Sequence, residues 1–347
     1  MSAGSTADRG HVSILDPIRG IASLAVVLFH YSGSMLPSIT PNALTGILWI
    51  GQFGVHAFFV ISGFIIPYAM ERSGYGIRDI GNFMTRRYLR IAPPAYIAAL
   101  GVILFHMLGM LITGRPIGTD QWPGLNARSL IGNLIFHPEQ ISSKWFNFPY
   151  WTLMIEFQFY AVIALLFPML TGALGRSAIP FIIGAILCMS FFDERYFFHY
   201  APFFMLGTSI FLNRHGLLND TAYALLATLC LALALLVGWI PAVVLAITAG
   251  FLHFNLKVRN KLIIWLGCIS YSLYIVHVPV GYFAEALFKR VWDIHLDPIG
   301  KVIMLVLYTS IALTAAQIFH RWVELPFLQL SRTVPGRRNK VLDRSSL

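Results

Sequence analysis

The sequence predicts an all-α integral membrane protein with about ten transmembrane helices and both termini in the cytoplasm. Hydrophobic residues make up 57% of the 347 residues and charged residues 12%, against about 25% charged residues in a soluble domain. Apolar runs close to the length that a helix needs to cross a bilayer recur along the chain. The ten predicted spans are residues 13–33, 47–69, 89–112, 150–170, 177–192, 196–212, 220–238, 240–256, 262–287 and 299–320.

The lysine and arginine residues set the predicted orientation. With the N-terminus inside, most of the 25 Lys and Arg residues fall on the cytoplasmic side, as the positive-inside rule requires. The net charge of +10 is therefore interpreted as a topology signal, and no nucleic-acid partner is expected. The predicted membrane domain covers residues 13–330, between a polar tail at 1–12 and a basic cytoplasmic tail at 331–347. Its outer loop, 113–149, is either a lid near the acceptor or a simple connector.

Polar residues share one face of the first span. Arg19 and His30 are eleven residues apart, which places them about 20° apart around a helix of 3.6 residues per turn. Asp16 and Ser23 fall on the same stripe. Ionisable groups at membrane depth are costly and face a bundle interior or a water-filled path. We therefore predict that Asp16, Arg19 and His30 belong to a catalytic site.

An arginine cluster precedes the third span. Arg86 and Arg90 are one helical turn apart and Arg87 lies between them, so Arg86 and Arg90 can bind one anion. The rigid guanidinium fork suits phosphate, which favours a nucleotide-like cofactor. The alternative is an anchor in the lipid headgroups.

The fourth span carries a polar stripe. Thr152, Glu156 and Tyr160 recur every four residues, directly after Trp151, and such spacing places them on one helix face. Glu156 is predicted at about the same membrane depth as His30. Two ionisable groups at matched depth on different helices are a candidate acid–base pair.

Two further spans carry candidate supporting residues. Ser62 of the second span either lets a neighbouring helix approach closely or faces the polar site. In the ninth span, Ser270, Tyr274 and His277 form a stripe at i, i+4 and i+7. A single histidine in an apolar helix is more often structural, but stripes on three spans that converge at one depth favour a shared site.

No metal site is expected. The sequence contains no HExxH motif and no closely spaced His and Cys set, and its three cysteines lie in apolar runs. Neither a disulfide framework nor a zinc site is supported. A serine nucleophile on an elbow motif is not supported either.

Six segments, in this order along the chain, resemble the acyltransferase-3 family of membrane proteins, which includes O-antigen and exopolysaccharide O-acetylases. They are Leu15–His30, Phe53–Phe64, Arg86–Pro93, Trp151–Tyr160, Ile269–His277 and Glu324–Pro326. Two departures from the family pattern stand out. Pro17-Ile18 replaces the commoner Gly-Leu, and Phe157 stands where a second acidic residue often follows Glu156.

The resemblance implies acyl transfer in a bacterial cytoplasmic (inner) membrane, usually of acetyl from cytoplasmic acetyl-CoA to a hydroxyl of a glycan or lipid-linked saccharide. It also implies that Arg19 and His30, which match the family's Arg-x10-His pair, are essential. Arg86, Arg87 and Arg90 match the motif associated with the donor.

The hypothesis is an acetyl-CoA-dependent O-acyltransferase with His30 as general base or as a transient acyl carrier. Arg19 would stabilise the thioester oxyanion or the donor, and Glu156 or Asp16 would orient a histidine. The alternative is a proton-coupled exporter with the same buried His, Glu and Arg set. A non-catalytic subunit of a glycan assembly complex is a third reading. The acceptor, the acyl chain and the oligomeric state stay open.

Overall fold

The structure is a computed structural model that describes residues 15–33, 43–114, 123–256, 258–291 and 298–335. These residues form helices, and no strand occurs among them. The α-helices are α1 (Leu15–Gly33), α2 (Ala43–Trp49), α3 (Gly54–Arg72), α4 (Ile80–Thr113), α5 (Ala127–Leu134), α6 (Trp151–Pro168), α7 (Ile179–Cys188), α8 (Ala201–Arg214), α9 (Asp220–Val237), α10 (Trp239–His253), α11 (Lys261–Cys268), α12 (Ser270–Val291), α13 (Pro298–Phe319) and α14 (Leu325–Thr333).

Several of these helices are long and apolar enough to cross a membrane. Five helical stretches of the described residues meet that criterion, and a sixth does if the bent pair α11–α12 counts as one span. The helices α7 and α10 are apolar but shorter. The all-helical prediction is confirmed. The count of ten spans and the cytoplasmic position of both termini stay predictions.

The helix boundaries differ from the predicted spans in two places that matter for the site. The predicted span 89–112 is the later part of α4, a single helix of 34 residues whose first turns carry the arginine cluster. The predicted span 262–287 is broken, because α11 and α12 meet at an angle of 70°. Next to this break, α11 touches α1 so closely that a Cβ at Gly267 would overlap the Asp16 backbone.

The centre of the bundle is α8, whose residues 201–212 are all buried. It packs most extensively against α3. The two backbones meet at a pair of glycines: a Cβ at Gly63 would overlap the Phe204 carbonyl oxygen, and one at Gly207 would overlap the Val60 carbonyl oxygen. Small residues allow membrane helices this close approach, which fixes α3 and the Ser62 side chain next to the site.

Three prolines inside helices free carbonyls that side chains from other segments contact. A proline has no N–H, so the carbonyl four residues earlier loses its helical donor. Pro67, Pro168 and Pro279 each free one carbonyl in this way, and a side chain from another element donates to it. The three bonds are Thr208 Oγ1 to Gly63 O at 2.9 Å, Tyr75 OH to Ala164 O at 2.8 Å, and Asn147 Nδ2 to Ile275 O at 2.9 Å.

The predicted loop 113–149 contains the short helix α5. Asn126 caps α5 by accepting a bond from the Ser129 backbone N–H at 2.9 Å, as N-cap asparagines do. Asn133 ties the end of α5 to the following chain through bonds to Lys144 O and Phe146 N. Residues 115–122 of this loop lie outside the described residues, as do the polar tail at 1–12 and residues 336–347 of the basic tail.

Candidate active site

Two cavities lie end to end inside the helical bundle. The larger, of about 640 Å³, is called the arginine cavity, and the smaller, of about 390 Å³, the glutamate cavity. Charged groups lining the arginine cavity are Asp16, Arg19, Asp79, Arg86, Arg87, Arg90, His320, Glu324 and Arg332. Polar groups lining the glutamate cavity include Arg19, Ser62, Arg87, Arg90, Thr152, Glu156, Tyr160, Ser270, Tyr271 and Tyr274.

Arg19, Arg87 and Arg90 line both cavities and form what we call the arginine neck. Among the described residues, no carboxylate forms an ion pair with any of these three guanidinium groups. Asp16, Glu156 and Glu324 act on Arg19 only as more distant charges. Arginines in a low-dielectric interior are costly without a partner, so the neck is suited to an anionic ligand.

Arg87 is held by aromatic rings. Its Cζ lies 5.6 Å from the centroid of the Phe83 ring and 5.7 Å from that of the Tyr160 ring, within the range of cation–π attraction. These contacts hold the guanidinium group beside two rings. A guanidinium fork can bind an anion such as a phosphate or a carboxylate through two hydrogen bonds.

The wall of the arginine cavity opposite α4 is built by α14 and the π-helical turn His320–Glu324 that precedes it. Arg86 donates to the Val334 carbonyl from Nε at 3.0 Å and from Nη2 at 2.7 Å. Glu324 accepts from Ser272 Oγ at 2.6 Å and pairs with His320 at 2.8 Å. Sequence analysis missed His320 and Arg332 as cavity residues, because a span end gives no signal for what packs beside it.

Glu156 collects hydroxyl donors from two helices. Its Oε1 accepts from Ser62 Oγ of α3 at 3.0 Å and from Tyr160 OH one turn along α6. The structure thus brings together three of the predicted site residues, because Ser62 and Tyr160 both donate to the carboxylate of Glu156. Because this carboxylate lines the glutamate cavity beside the arginine neck, it offsets part of the positive charge there.

Tyr274 lies at one end of the glutamate cavity. Its hydroxyl lies 2.8 Å from Thr152 Oγ1 and donates to Pro149 O at 3.0 Å. The ring of Phe58, also a cavity residue, is 6.1 Å away between centroids. Trp151 does not line this cavity and packs against Tyr200, with ring centroids 5.6 Å apart.

Beyond Tyr274 lies a pair of histidines from α1 and α12. The ring centroids of His30 and His277 are 5.2 Å apart, and that of Tyr274 is 5.9 Å from His277. Neither histidine is among the residues that line the glutamate cavity. The polar site therefore has two parts, with the carboxylate of Glu156 in one and the histidine pair in the other.

Distances along α1 separate the predicted catalytic residues. Arg19 and His30 share a helix face, but eleven residues at 1.5 Å each place them about 16 Å apart along the axis. Asp16, at the arginine cavity, is about 21 Å from His30 by the same rise. One functional group of a substrate cannot touch both ends. Arg19 therefore lies with the arginine cluster, and His30 lies towards the other end of α1, outside both cavities.

Within the part of the chain that the structure describes, no group of three or more His, Cys, Asp or Glu side chains is placed to hold a metal ion. The expectation that no metal takes part stays a prediction.

Comparisons with known proteins identify similar sequences. A family model described as an acyltransferase domain matches residues 12–321. The acyltransferase MdmB of Streptomyces mycarofaciens is 26% identical over 189 residues, which are 52% of this chain and 46% of MdmB. Protein 2 in picA locus of Rhizobium radiobacter is 27% identical over 162 residues, 44% of this chain and 80% of that protein. No solved structure matches. The match to MdmB thus covers about half of the present chain and less than half of MdmB. The family model covers nearly the whole of the present chain, which belongs to the acyltransferase-3 family.

Proposed function

We propose that this protein transfers an acyl group, acetyl in the first instance, from an acyl-CoA to a hydroxyl of a glycan, a lipid-linked saccharide or another cell-envelope acceptor. The observation that carries the proposal is the arginine neck, where three guanidinium groups without a described carboxylate partner join two cavities. Arginine forks bind phosphate strongly and bidentately. Coenzyme A combines several phosphates with a long uncharged arm that ends in the thioester.

The two cavities suit the two halves of such a donor. The phosphates would bind in the arginine cavity against Arg86, Arg87 and Arg90. The uncharged arm would pass the neck into the glutamate cavity, whose wall includes Val55, Phe59 and other apolar residues. The thioester would then point towards Tyr274 and the histidine pair.

The roles of the polar residues follow from their positions in this pose. Arg19, about 16 Å from His30 along α1, would hold the donor and not the reacting carbonyl. Asp16 and Glu156 would balance the charge of the neck, and Glu156 would also fix Ser62 and Tyr160. His30 would act on the acceptor hydroxyl as a general base or carry the acyl group as an intermediate.

We also propose ten membrane crossings in a bacterial inner membrane, with both termini in the cytoplasm. The proposed crossings are α1, α3, α4, α6, α7, α8, α9, α10, the bent pair α11–α12, and α13. An even number returns the chain to the side where it began. The support is that residues from the first turns of α1 and from α14 line the same arginine cavity. A donor from the cytoplasm would enter there.

The test supplies labelled acetyl-CoA to membranes that carry the wild type, His30→Ala or the control His106→Ala at matched expression. His106 of α4 is also buried, with Nδ1 2.9 Å from the Val102 carbonyl, but it lies outside both cavities. Label is followed into extracted glycans and lipids. We expect incorporation with the wild type and the control, and none with His30→Ala.

Two outcomes would contradict the proposal. Wild-type transfer by His30→Ala would remove His30 from the mechanism. Absence of incorporation with folded wild-type protein and native acceptors would remove acetyl-CoA as donor. In that case, transport that depends on the proton gradient and consumes no CoA would favour the exporter.

A further inference from the structure

The ring of His277 is held in one orientation by its own helix. Nδ1 lies 2.7 Å from the Tyr274 carbonyl oxygen and 3.2 Å from the Leu273 carbonyl oxygen. Carbonyl oxygens only accept hydrogen bonds, so the neutral ring carries its proton on Nδ1. This tautomer is assigned from the two acceptors, and it leaves Nε2 with a lone pair and no proton.

The lone pair of Nε2 is buried. His277 has no exposed surface, and Nε2 has no hydrogen-bond partner among the described residues. A buried acceptor without a donor costs about 1–3 kcal/mol. A buried polar atom without a partner is uncommon in folded proteins and often has a functional role.

The neighbour of this ring is His30. The two ring centroids are 5.2 Å apart and the planes are tilted by 39°, which is direct contact between rings. A hydrogen bond also holds the two helices together here. Tyr31, the residue after His30, donates from its hydroxyl to the His277 carbonyl at 2.6 Å. Tyr31 is fully buried. The helices α1 and α12 are thus fixed in register at this point.

We propose that His277 is a positioning residue for His30, with Nε2 accepting a hydrogen bond from the N–H of the His30 ring during the reaction. That bond holds the His30 proton on the nitrogen that faces α12. The other nitrogen of His30 then keeps its lone pair towards the substrate. A base or nucleophile needs this arrangement, in which a third group orients the reactive histidine. The inference rests on the proposed function, and it assigns His277 a role on either reading of His30.

Two substitutions separate this role from packing and from proton uptake. In His277→Asn, the side-chain amide can still donate to the Tyr274 carbonyl, but nothing replaces Nε2. In His277→Gln, the amide oxygen reaches the position of Nε2 and accepts a hydrogen bond, but it is not basic. If acceptance of a hydrogen bond is what His30 needs, glutamine retains activity and asparagine does not.

The experiment measures transfer from labelled acetyl-CoA in native membranes, with both variants and with the matched controls His106→Asn and His106→Gln. We expect kcat of His277→Asn to fall at least about tenfold, since positioned acid–base groups contribute about 10²–10⁴-fold. His277→Gln should stay within about threefold of the wild type. The KM for acetyl-CoA should not change in either variant. The arginines proposed to bind the donor line the arginine cavity, which lies at the opposite end of α1 from His30. Thermal unfolding in detergent verifies that each variant is folded.

A spectroscopic measurement tests the same point without turnover. With ¹⁵N-labelled histidine in lipid nanodiscs, the His30 ring nitrogens should report one tautomer in the wild type and His277→Gln, and a mixture in His277→Asn.

Equal activity of the two variants, high or low, would overturn the positioning role, and so would higher activity of asparagine than of glutamine. Loss in both folded variants would instead identify His277 as a base or a packing residue. Failure of the wild type to transfer label from acetyl-CoA is a separate result, which counts against the proposed function itself.

Discussion

Arg87 shows how one side chain can join two compartments. It lines both cavities, and its guanidinium group lies within cation–π distance of the Phe83 and Tyr160 rings. A lysine at this position would keep the charge but lose the planar fork and the ring stacking. We therefore expect ligand binding at the neck to depend on the shape of arginine as well as on its charge.

We expect Arg87→Lys to raise the KM for acyl-CoA about 10–100-fold with a smaller effect on kcat. The reason is that hydrogen bonds to charged groups are worth about 1.5–3 kcal/mol. Initial rates at varied acetyl-CoA concentration measure it. The matched control is Arg78→Lys, because Arg78 is exposed and lines neither cavity. An unchanged KM in Arg87→Lys, or an equal rise in the control, would contradict a donor site at the neck.

Glu156 makes a prediction about stability. In Glu156→Gln the amide oxygen can still accept from Ser62 and Tyr160, so the free energy of unfolding should change by less than about 1 kcal/mol. In Glu156→Leu both hydroxyls lose their acceptor, at about 1–3 kcal/mol for each group left buried and unsatisfied. Unfolding by denaturant in mixed micelles measures the difference. Similar losses in the two variants would show that charge, and not hydrogen bonding, is what the site needs from Glu156.

Helical periodicity predicts at the residue scale which side chains share a face, as for Arg19 and His30. It does not predict which residues on different helices meet. Ser62 and Glu156 are 94 positions apart in the sequence. Their contact depends on the position of α3 relative to α6 along the helix axes. The packing of backbones sets that register, so the sequence predicted that the polar stripes share a site but not that the rings of His30 and His277 are in contact.

At the scale of elements, the prolines and their donors act as pairs. Pro67 frees the Gly63 carbonyl, and the Thr208 hydroxyl donates a hydrogen bond to it at 2.9 Å. The same hydroxyl also lies 3.1 Å from Phe204 O. The pair links α3 to α8 at the point where their glycines touch. A single change in either residue therefore affects the crossing of two helices.

A double-mutant cycle tests this pair. Thr208→Val should destabilise the wild-type background by about 1 kcal/mol, a typical value for a hydrogen bond between membrane helices. In a Pro67→Ala background the restored N–H satisfies the Gly63 carbonyl, so the same change should cost less. Unfolding in mixed micelles gives the coupling energy. Additive effects of the two substitutions would show that the threonine bond does not depend on the proline.

Sequence patterns located most helices but not their breaks. The apolar run at 262–287 contains no signal strong enough to separate α11 from α12, and the 70° bend lies next to a close contact between α11 and α1. The helix α14 was missed for a related reason. It lies beyond the last apolar run, and what identifies it as part of the site is its packing against α4.

At the scale of the whole molecule, the proposed topology predicts the location of fused reporters. Alkaline phosphatase inserted next to Lys144 should be active, because that loop would face the periplasm. The same enzyme fused after Leu347 should be inactive, and green fluorescent protein at that position should fluoresce. The matched pair of fusions in one chain controls for expression. Active phosphatase at the C-terminus would place that end in the periplasm and would overturn the proposed orientation.

During synthesis, the donors to the three freed carbonyls become available at different times. Tyr75 and Asn147 are made before the carbonyls of Ala164 and Ile275, so their donors are already present when α6 and α12 emerge. The Gly63 carbonyl comes 145 residues before Thr208. Hydrocarbon offers no hydrogen bond to a free carbonyl, so α3 carries one unsatisfied backbone group in lipid until its donor is made. This carbonyl gains its hydrogen bond only when α8 arrives, so the contact between α3 and α8 at the centre of the bundle forms late in synthesis.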